Sequence, residues 1–206
     1  MKNKEIVNIF PEALGIYKIE YNENFVKNYI LNLEYKETFD TTGSNKKDSN
    51  CFISVKGNIL SGLDKLKEDI NKCVSDYLNN IYGYEIKPQI IDSWATKTKT
   101  EGVSQEHFHC HSLISGVFYL TKGSFRLTRP TIDYFWKLKV KENNFLNGKT
   151  LDFNIDSGTL LLFKSFLNHK IIKHEYTEDR YSIAFNVVPE GIFGGETSLI
   201  SFGKIQ

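Results

Sequence analysis

What is scarce in this chain narrows the choices first. Cysteine is scarce: Cys51, Cys73 and Cys110 stand far apart, and none belongs to a CxxC pair. An odd, scattered set does not make a disulfide framework and fits a reducing compartment. A charge excess is absent as well. Lys and Arg total 26 against 25 Asp and Glu, a formal net charge of +1. Nucleic-acid surfaces carry a strong basic excess or stripe, so no nucleic-acid partner is expected. No run approaches the ~18 to 20 apolar residues that a membrane span needs, so no membrane partner is expected either. The opening residues, MKNKEIVNIFPEAL, lack the continuous apolar stretch and small-residue cleavage site of a secretory leader. The expected location is the cytoplasm. There is no internal repeat and no evident linker. Histidine is missing from the first 106 residues altogether; His107, His109, His111, His169 and His174 all lie beyond them.

What remains is an ordinary globular balance, 40% hydrophobic, 14% aromatic and 25% charged, over 206 residues. That length suits one domain with a sizeable core. The expected layout is helical support over 1–87, a β core over 88–190 and a C-terminal extension over 191–206. Residues 22–33 place Phe25, Val26, Tyr29, Ile30 and Leu33 at helical spacing. A second helix is predicted from Ser61, with Asp64 completing a capping-box-like pair, through Leu66, Ile70, Val74 and Tyr77 to Ile81. Gly83 is its natural stop. The polar stretch 41–50 reads as a surface loop. From Pro88 onward, β-branched and aromatic segments alternate with turn residues. Strands are predicted at 89–97, 105–109, 114–121, 125–128, 134–140, 150–155, 159–163, 170–174 and 181–188. Strands so numerous and so closely spaced define a mainly β sandwich or open barrel, with the helices packed outside one sheet.

The histidines carry the chemistry. In a strand, His107, His109 and His111 of HFHCH point to one face, while Phe108 and Cys110 point to the other, where core packing awaits the cysteine. Two imidazoles one residue apart can share a metal where a strand curves or ends. His169, after the apolar run TLLLF and the link KSFLN, is the leading remote third ligand. Three ligands on one face of an octahedron leave the other face open for co-substrate and O2, as a non-haem iron oxygenase requires. The same HxHxH pattern also suits a solvated edge strand or an adventitious zinc site. His174 reads as a surface or supporting histidine near a strand end.

The last strand, RYSIAFNVV, puts Arg180, Ser182, Ala184 and Asn186 on one face. A planar guanidinium beside a hydroxyl matches a carboxylate. A surface Arg180 paired with Glu178 or Asp179 is the plainer alternative.

In this order, HFHCHSLISGVFYL, GTLLLFKSFLNHKI and RYSIAFN resemble the iron(II)- and 2-oxoglutarate-dependent oxygenases. The resemblance is nearest to a family common in phage and bacterial genomes and distantly prolyl-hydroxylase-like. It spans about 93 to 186. It implies a double-stranded β-helix, a jelly-roll or cupin-like fold. It implies Fe(II) held by His107, His109 and His169, with His111 as a possible alternative second ligand. It also implies 2-oxoglutarate held at its far carboxylate by Arg180 and Ser182, with Tyr119 and Thr96 lining the same slot. His109 stands where most of the superfamily has aspartate, and Cys110 and Lys164 stand where proline is usual.

The implied activity is a dioxygenase that couples decarboxylation of 2-oxoglutarate to succinate with hydroxylation of a small molecule or a protein side chain. Rival readings are a cupin-like metal-binding module without catalysis, and a three-histidine dioxygenase that does not use 2-oxoglutarate. A halogenase variant follows if His109 stays off the metal. Substrate loops are expected at 97–106, 128–133 and 140–150, with Arg126 and Arg129 available to an anionic substrate. The tail after residue 190 is expected to add a strand or an oligomer contact.

Overall fold

The computed structural model describes the chain except residues 1–4, 6, 8–9, 41–46, 131–138, 140, 143, 145, 196 and 204–206. It is mainly β. Strand β1 (Gly15–Lys18) is followed by helix α1 (Glu23–Leu31), then β2 (Tyr35–Asp40) and β3 (Lys47–Ser54). A 3-10 turn (Ile59–Gly62) leads into α2 (Asp64–Ser75), which continues as a π-helical segment (Asp76–Ile81). The remaining strands are β4 (Lys87–Thr98), β5 (Ile114–Tyr119), β6 (Gly123–Thr128), β7 (Thr150–Ile155), β8 (Thr159–Lys164), β9 (Asn168–Lys170), β10 (Arg180–Phe193) and β11 (Ile200–Phe202).

The strands form two antiparallel sheets. The large one runs β1-β8-β5-β10-β4-β3-β2, with β11 also paired to β10; the small one runs β7-β6-β9. One face of the large sheet packs on the helices. Val26 and Ile30 of α1 and Leu66, Ile70 and Val74 of α2 join Phe118, Leu160, Leu162, Ile183, Phe185 and Val187 in one core. The opposite face meets the small sheet through Tyr119, Leu161 and Phe163 against Phe125, Leu127 and Ile155. Because both faces of β8 are covered, its TLLLF run is apolar without alternation, and every one of those residues is buried. This is the expected double-stranded β-helix flanked by helices.

The sequence expectations need correction at several places. The first half is not only helical, because β1, β2 and β3 extend the large sheet. Part of the stretch expected as a loop is the start of β3, where Ser49 is buried and its hydroxyl lies 3.0 Å from that of Thr38. The second helix starts at Asp64 rather than Ser61, whose hydroxyl donates to the Asn58 carbonyl at 2.7 Å instead of capping. Residues 105–109 form a single bridge rather than a strand, and β9 ends at Lys170 rather than running to His174. The strand expected at 134–140 lies outside the described residues, apart from Lys139. The tail does add a strand, β11.

Candidate metal centre and its pocket

The segment 105–111 leaves β4 and is stitched onto the far end of the barrel. His107 and His169 exchange backbone hydrogen bonds of 3.1 and 2.8 Å, and the amide of His109 donates to the Ser165 carbonyl at 2.8 Å. These bonds draw together three histidines distant in sequence. Ring centroids lie 4.4 Å apart for His107 and His169, and 5.1 Å apart for each of the other two pairs. Each ring offers one nitrogen, and the three nitrogens lie within 4.8 Å of one another. Among the described residues this is the group suited to a metal ion.

The hydrogen bonds fix which nitrogen each ring offers. His107 Nδ1 lies 2.9 Å from the Gln105 carbonyl, and His169 Nδ1 lies 2.9 Å from the Leu167 carbonyl. A carbonyl only accepts, so both Nδ1 atoms carry the proton and both Nε2 atoms are bare. His109 Nδ1 lies 2.5 Å from Asn186 Oδ1, an acceptor, so its Nε2 is bare as well. Burial, helped by the neighbouring His107, pushes His169 down to about 3 and lowers His109 too. Three bare lone pairs turned toward one another in a half-buried pocket repel until a cation sits among them. The site therefore fits a divalent metal.

His111 does not join this group. The chain bends at Cys110, so strand alternation ends there, and both residues are exposed. His111 Nε2 lies 3.2 Å from Cys110 Sγ. The cysteine is thus not in the core. His174 is not a surface residue: it is 1% exposed, and its Nε2 lies 2.7 Å from the Glu178 carbonyl.

Arg180 shares the cavity with the histidines, as do Ser182, Thr96 and Trp94; its volume is about 250 Å³. Arg180 opens β10 opposite Thr98 of β4, and Ser182 stands opposite Thr96. This register places Thr96, Thr98 and Ser182 around the guanidinium. Nη1 lies 3.4 Å from both threonine hydroxyls, and the group sits 4.7 Å above the Tyr119 ring. Thr96 and Ser182 hydroxyls bond each other at 2.6 Å. Yet Arg180 is 2% exposed, and neither its Nε nor the fully buried Tyr119 hydroxyl has a partner of hydrogen-bond geometry. The surface-pair alternative fails, because Asp179 bonds Lys97 at 3.0 Å. A buried cation without a counter-charge is costly. Arg180 and the three histidines line one and the same cavity.

Sequence reasoning missed Thr98, which has the same strand parity as Thr96. It also missed Asp92 and Ser115, which support Asn186 and His109. Of the arginines suggested for substrate, Arg126 forms a two-pronged pair with Asp152 across the small sheet, both contacts 2.6 Å. Arg129 donates to the Leu146 carbonyl at 2.9 Å.

Over residues 92–186 the chain matches the model of the family described as "Putative 2OG-Fe(II) oxygenase". No curated protein matches the chain. Among solved structures, one similar fold is an oxidoreductase of the 2OG-Fe(II) oxygenase family from Burkholderia pseudomallei. It is 10% identical, with a TM-score of 0.59 over 80% of this chain and 78% of that one. Another is HygX from Streptomyces hygroscopicus with nickel, 2-oxoglutarate and hygromycin B bound. It is 12% identical, with a TM-score of 0.57 over 86% of this chain and 83% of that one. A third is the non-haem alpha-ketoglutarate-dependent epimerase SnoN from nogalamycin biosynthesis, 8% identical, with a TM-score of 0.58 over 86% and 78%. At such identities the likeness speaks for the fold.

Proposed function

We propose that this protein is an Fe(II)- and 2-oxoglutarate-dependent dioxygenase that hydroxylates a substrate. The observation that carries the reading is a buried guanidinium, its Nε without a partner, that lines one small cavity together with the three clustered histidines. A cation at one end and an anion-seeking group at the other match a diacid that chelates metal through its keto end. HygX, which shares the fold, holds nickel and 2-oxoglutarate, and this supports the reading.

His107, His109 and His169 would hold the iron. When bound, iron and 2-oxoglutarate supply the reduction of O2, coupling decarboxylation to succinate and CO2 with oxidation of a substrate C–H bond. The chain's own residues supply position and exclusion of water. Arg180 would bind the far carboxylate with a planar fork, and Ser182, Thr96 and the Tyr119 hydroxyl would add neutral hydrogen bonds. Burial keeps the Tyr119 phenol above its ordinary range, so it stays a donor. Phe125, Phe163 and Ile171 complete a mostly apolar wall. Three neutral ligands would leave the metal its full charge, of which the near carboxylate of 2-oxoglutarate would balance one unit while Arg180 pairs with the far one.

The test is an anaerobic titration of the metal-free protein with Fe(II) and then 2-oxoglutarate. A visible metal-to-ligand charge-transfer band is expected only when both are present. Iron binding without any band on adding 2-oxoglutarate would remove the co-substrate from the reading. The all-imidazole donor set favours one second reading, a dioxygenase that does not use 2-oxoglutarate. It predicts substrate-dependent O2 consumption with no succinate formed.

A further inference from the structure

Of the three clustered histidines, His109 is the one whose Nδ1 is held by a side chain, Asn186, rather than by a backbone carbonyl, and a carboxylate stands behind that side chain. Strands β4 and β10 slip by one residue next to Asn186, which pairs with Asp92 while Val187 pairs with Ile90. Ile91 is the extra residue of a β-bulge, which locally breaks the ladder. The Asp92 side chain takes over: its Oδ1 accepts from the Asn186 backbone amide at 3.1 Å, and its Oδ2 accepts from Asn186 Nδ2 at 3.3 Å. A carboxylate only accepts, so this pair of bonds decides which way the Asn186 amide is turned. The Nδ2 group faces Asp92, and Oδ1 faces His109.

Asn186 Oδ1 is then the acceptor at the centre of a small polar cluster. It lies 2.5 Å from His109 Nδ1 and accepts from the hydroxyls of Ser115 at 2.9 Å and Ser112 at 3.3 Å. Ser115 and Ser112 in turn bond the Ser165 hydroxyl at 2.9 and 2.7 Å. With Oδ1 fixed, His109 keeps its proton on Nδ1 and its lone pair on Nε2.

Resting on the metal site proposed above, we infer that Asp92 and Asn186 form a positioning relay that makes His109 a metal ligand. Asp92 sets the amide, the amide sets the imidazole tautomer, and the bulge at Ile91 sets Asp92. The relay also leaves a negative charge two hydrogen bonds from the metal. Outer partners of this kind commonly change metal affinity by about 10–100-fold when removed.

The isosteric substitution Asp92→Asn tests the relay without removing volume. Its amide cannot accept from both Asn186 N–H groups. Either a donor meets a donor at Asn186, or the Asn186 amide turns over and offers its NH2 to His109. The first outcome loosens the amide that holds His109, and the second replaces its acceptor with a donor. Co(II) titration of the metal-free protein, followed by its ligand-field absorption, is the readout. Asp92→Asn and Asn186→Leu are each expected to weaken Co(II) binding about 10–100-fold. The exchange Asp92→Asn with Asn186→Asp restores an acceptor at His109 and a donor behind it, so it is expected to recover most of the affinity. Co(II) binding by Asp92→Asn equal to wild type, or no recovery in the exchanged pair, would overturn the relay. His107→Ala is measured alongside. If wild type and His107→Ala bind Co(II) alike, the metal site itself is refuted rather than the relay.

Discussion

Asp179 lies 3.0 Å from Lys97, and this pairing leaves its chain neighbour Arg180 with no carboxylate among the described residues. The sequence offers Asp179 and Glu178 as obvious partners for Arg180. The fold spends one on Lys97 and uses the backbone carbonyl of the other to hold His174. The strand register then turns Arg180 inward, opposite Thr98. A buried cation is kept free by giving its neighbours other work.

Arg180→Ala is therefore expected to cut 2-oxoglutarate binding sharply. Losing hydrogen bonds to a charged group costs roughly 1.5 to 3 kcal/mol, which is about 10- to 150-fold in affinity. Arg180→Lys keeps charge but loses the fork and is expected to recover only part of it. Co(II) affinity is expected to stay near wild type in both. The titration that follows the charge-transfer band measures the first quantity, and the Co(II) spectrum measures the second. An unchanged 2-oxoglutarate affinity in Arg180→Ala contradicts the assignment.

The ligand set is open to a direct comparison. His107→Ala, His109→Ala and His169→Ala each remove one of the three converging nitrogens and are expected to weaken metal binding strongly. His111→Ala is expected to leave it within about twofold, since the imidazole is exposed and bonded to Cys110 rather than to the cluster. Calorimetric titration with Co(II) ranks the four variants. A large loss in His111→Ala with little loss in His109→Ala would exchange their roles.

The buried histidines make the metal-free fold sensitive to acid. His169 falls from an ordinary 6.5 to about 3, chiefly because burial penalises the imidazolium. A depressed value means that the unfolded chain binds the proton more readily. Stability from this group is thus fully present above about 6.5 and drains away as the pH falls toward 3. His109 shifts in the same direction. Urea midpoints of the metal-free protein are expected to drop across this window, and His169→Gln is expected to flatten the slope. A bound metal competes with the same protons, so metal affinity also falls on acidification. Equal slopes for the two proteins would show that His169 does not govern the acid limb.

Much of this was legible because burial wrote itself into the pattern. TLLLF reads as a strand covered on both faces, and RYSIAFNVV alternates between a core face and a pocket face, as found. Strands β2 and β3 were not legible. YKETFD and KDSNCFIS are polar, and their extended form comes from pairing onto β4 through Cys51, Phe52 and Ile53 rather than from local preference. HFHCH misled in detail, because alternation assumes a strand, and this chain bends at Cys110. Asp92 was invisible for a related reason. Its part depends on a bulge, and a bulge is a relation between two strands that neither strand records alone.

Gly123 gives the most selective probe of the anion end of the pocket. It opens β6, and a Cβ built there would stand 2.6 Å from Arg180 Nε, 2.7 Å from Arg180 Cδ and 3.3 Å from the Tyr119 ring. Those atoms belong to the middle of a buried side chain, held by Thr96, Thr98 and the Tyr119 face, so they cannot simply swing aside. Gly123→Ala must push the guanidinium out of line or spread the two sheets. Overpacking of this size costs about 1–3 kcal/mol of stability. The histidines are tied down by separate backbone bonds to Ser165 and to each other, so the metal end is spared. Gly123→Ala is expected to bind Co(II) as wild type does and to need at least about tenfold more 2-oxoglutarate for half-saturation, the equivalent of ~1.4 kcal/mol. If both affinities fall together, the two ends of the pocket are mechanically coupled, and the separation of metal and anion sites does not hold.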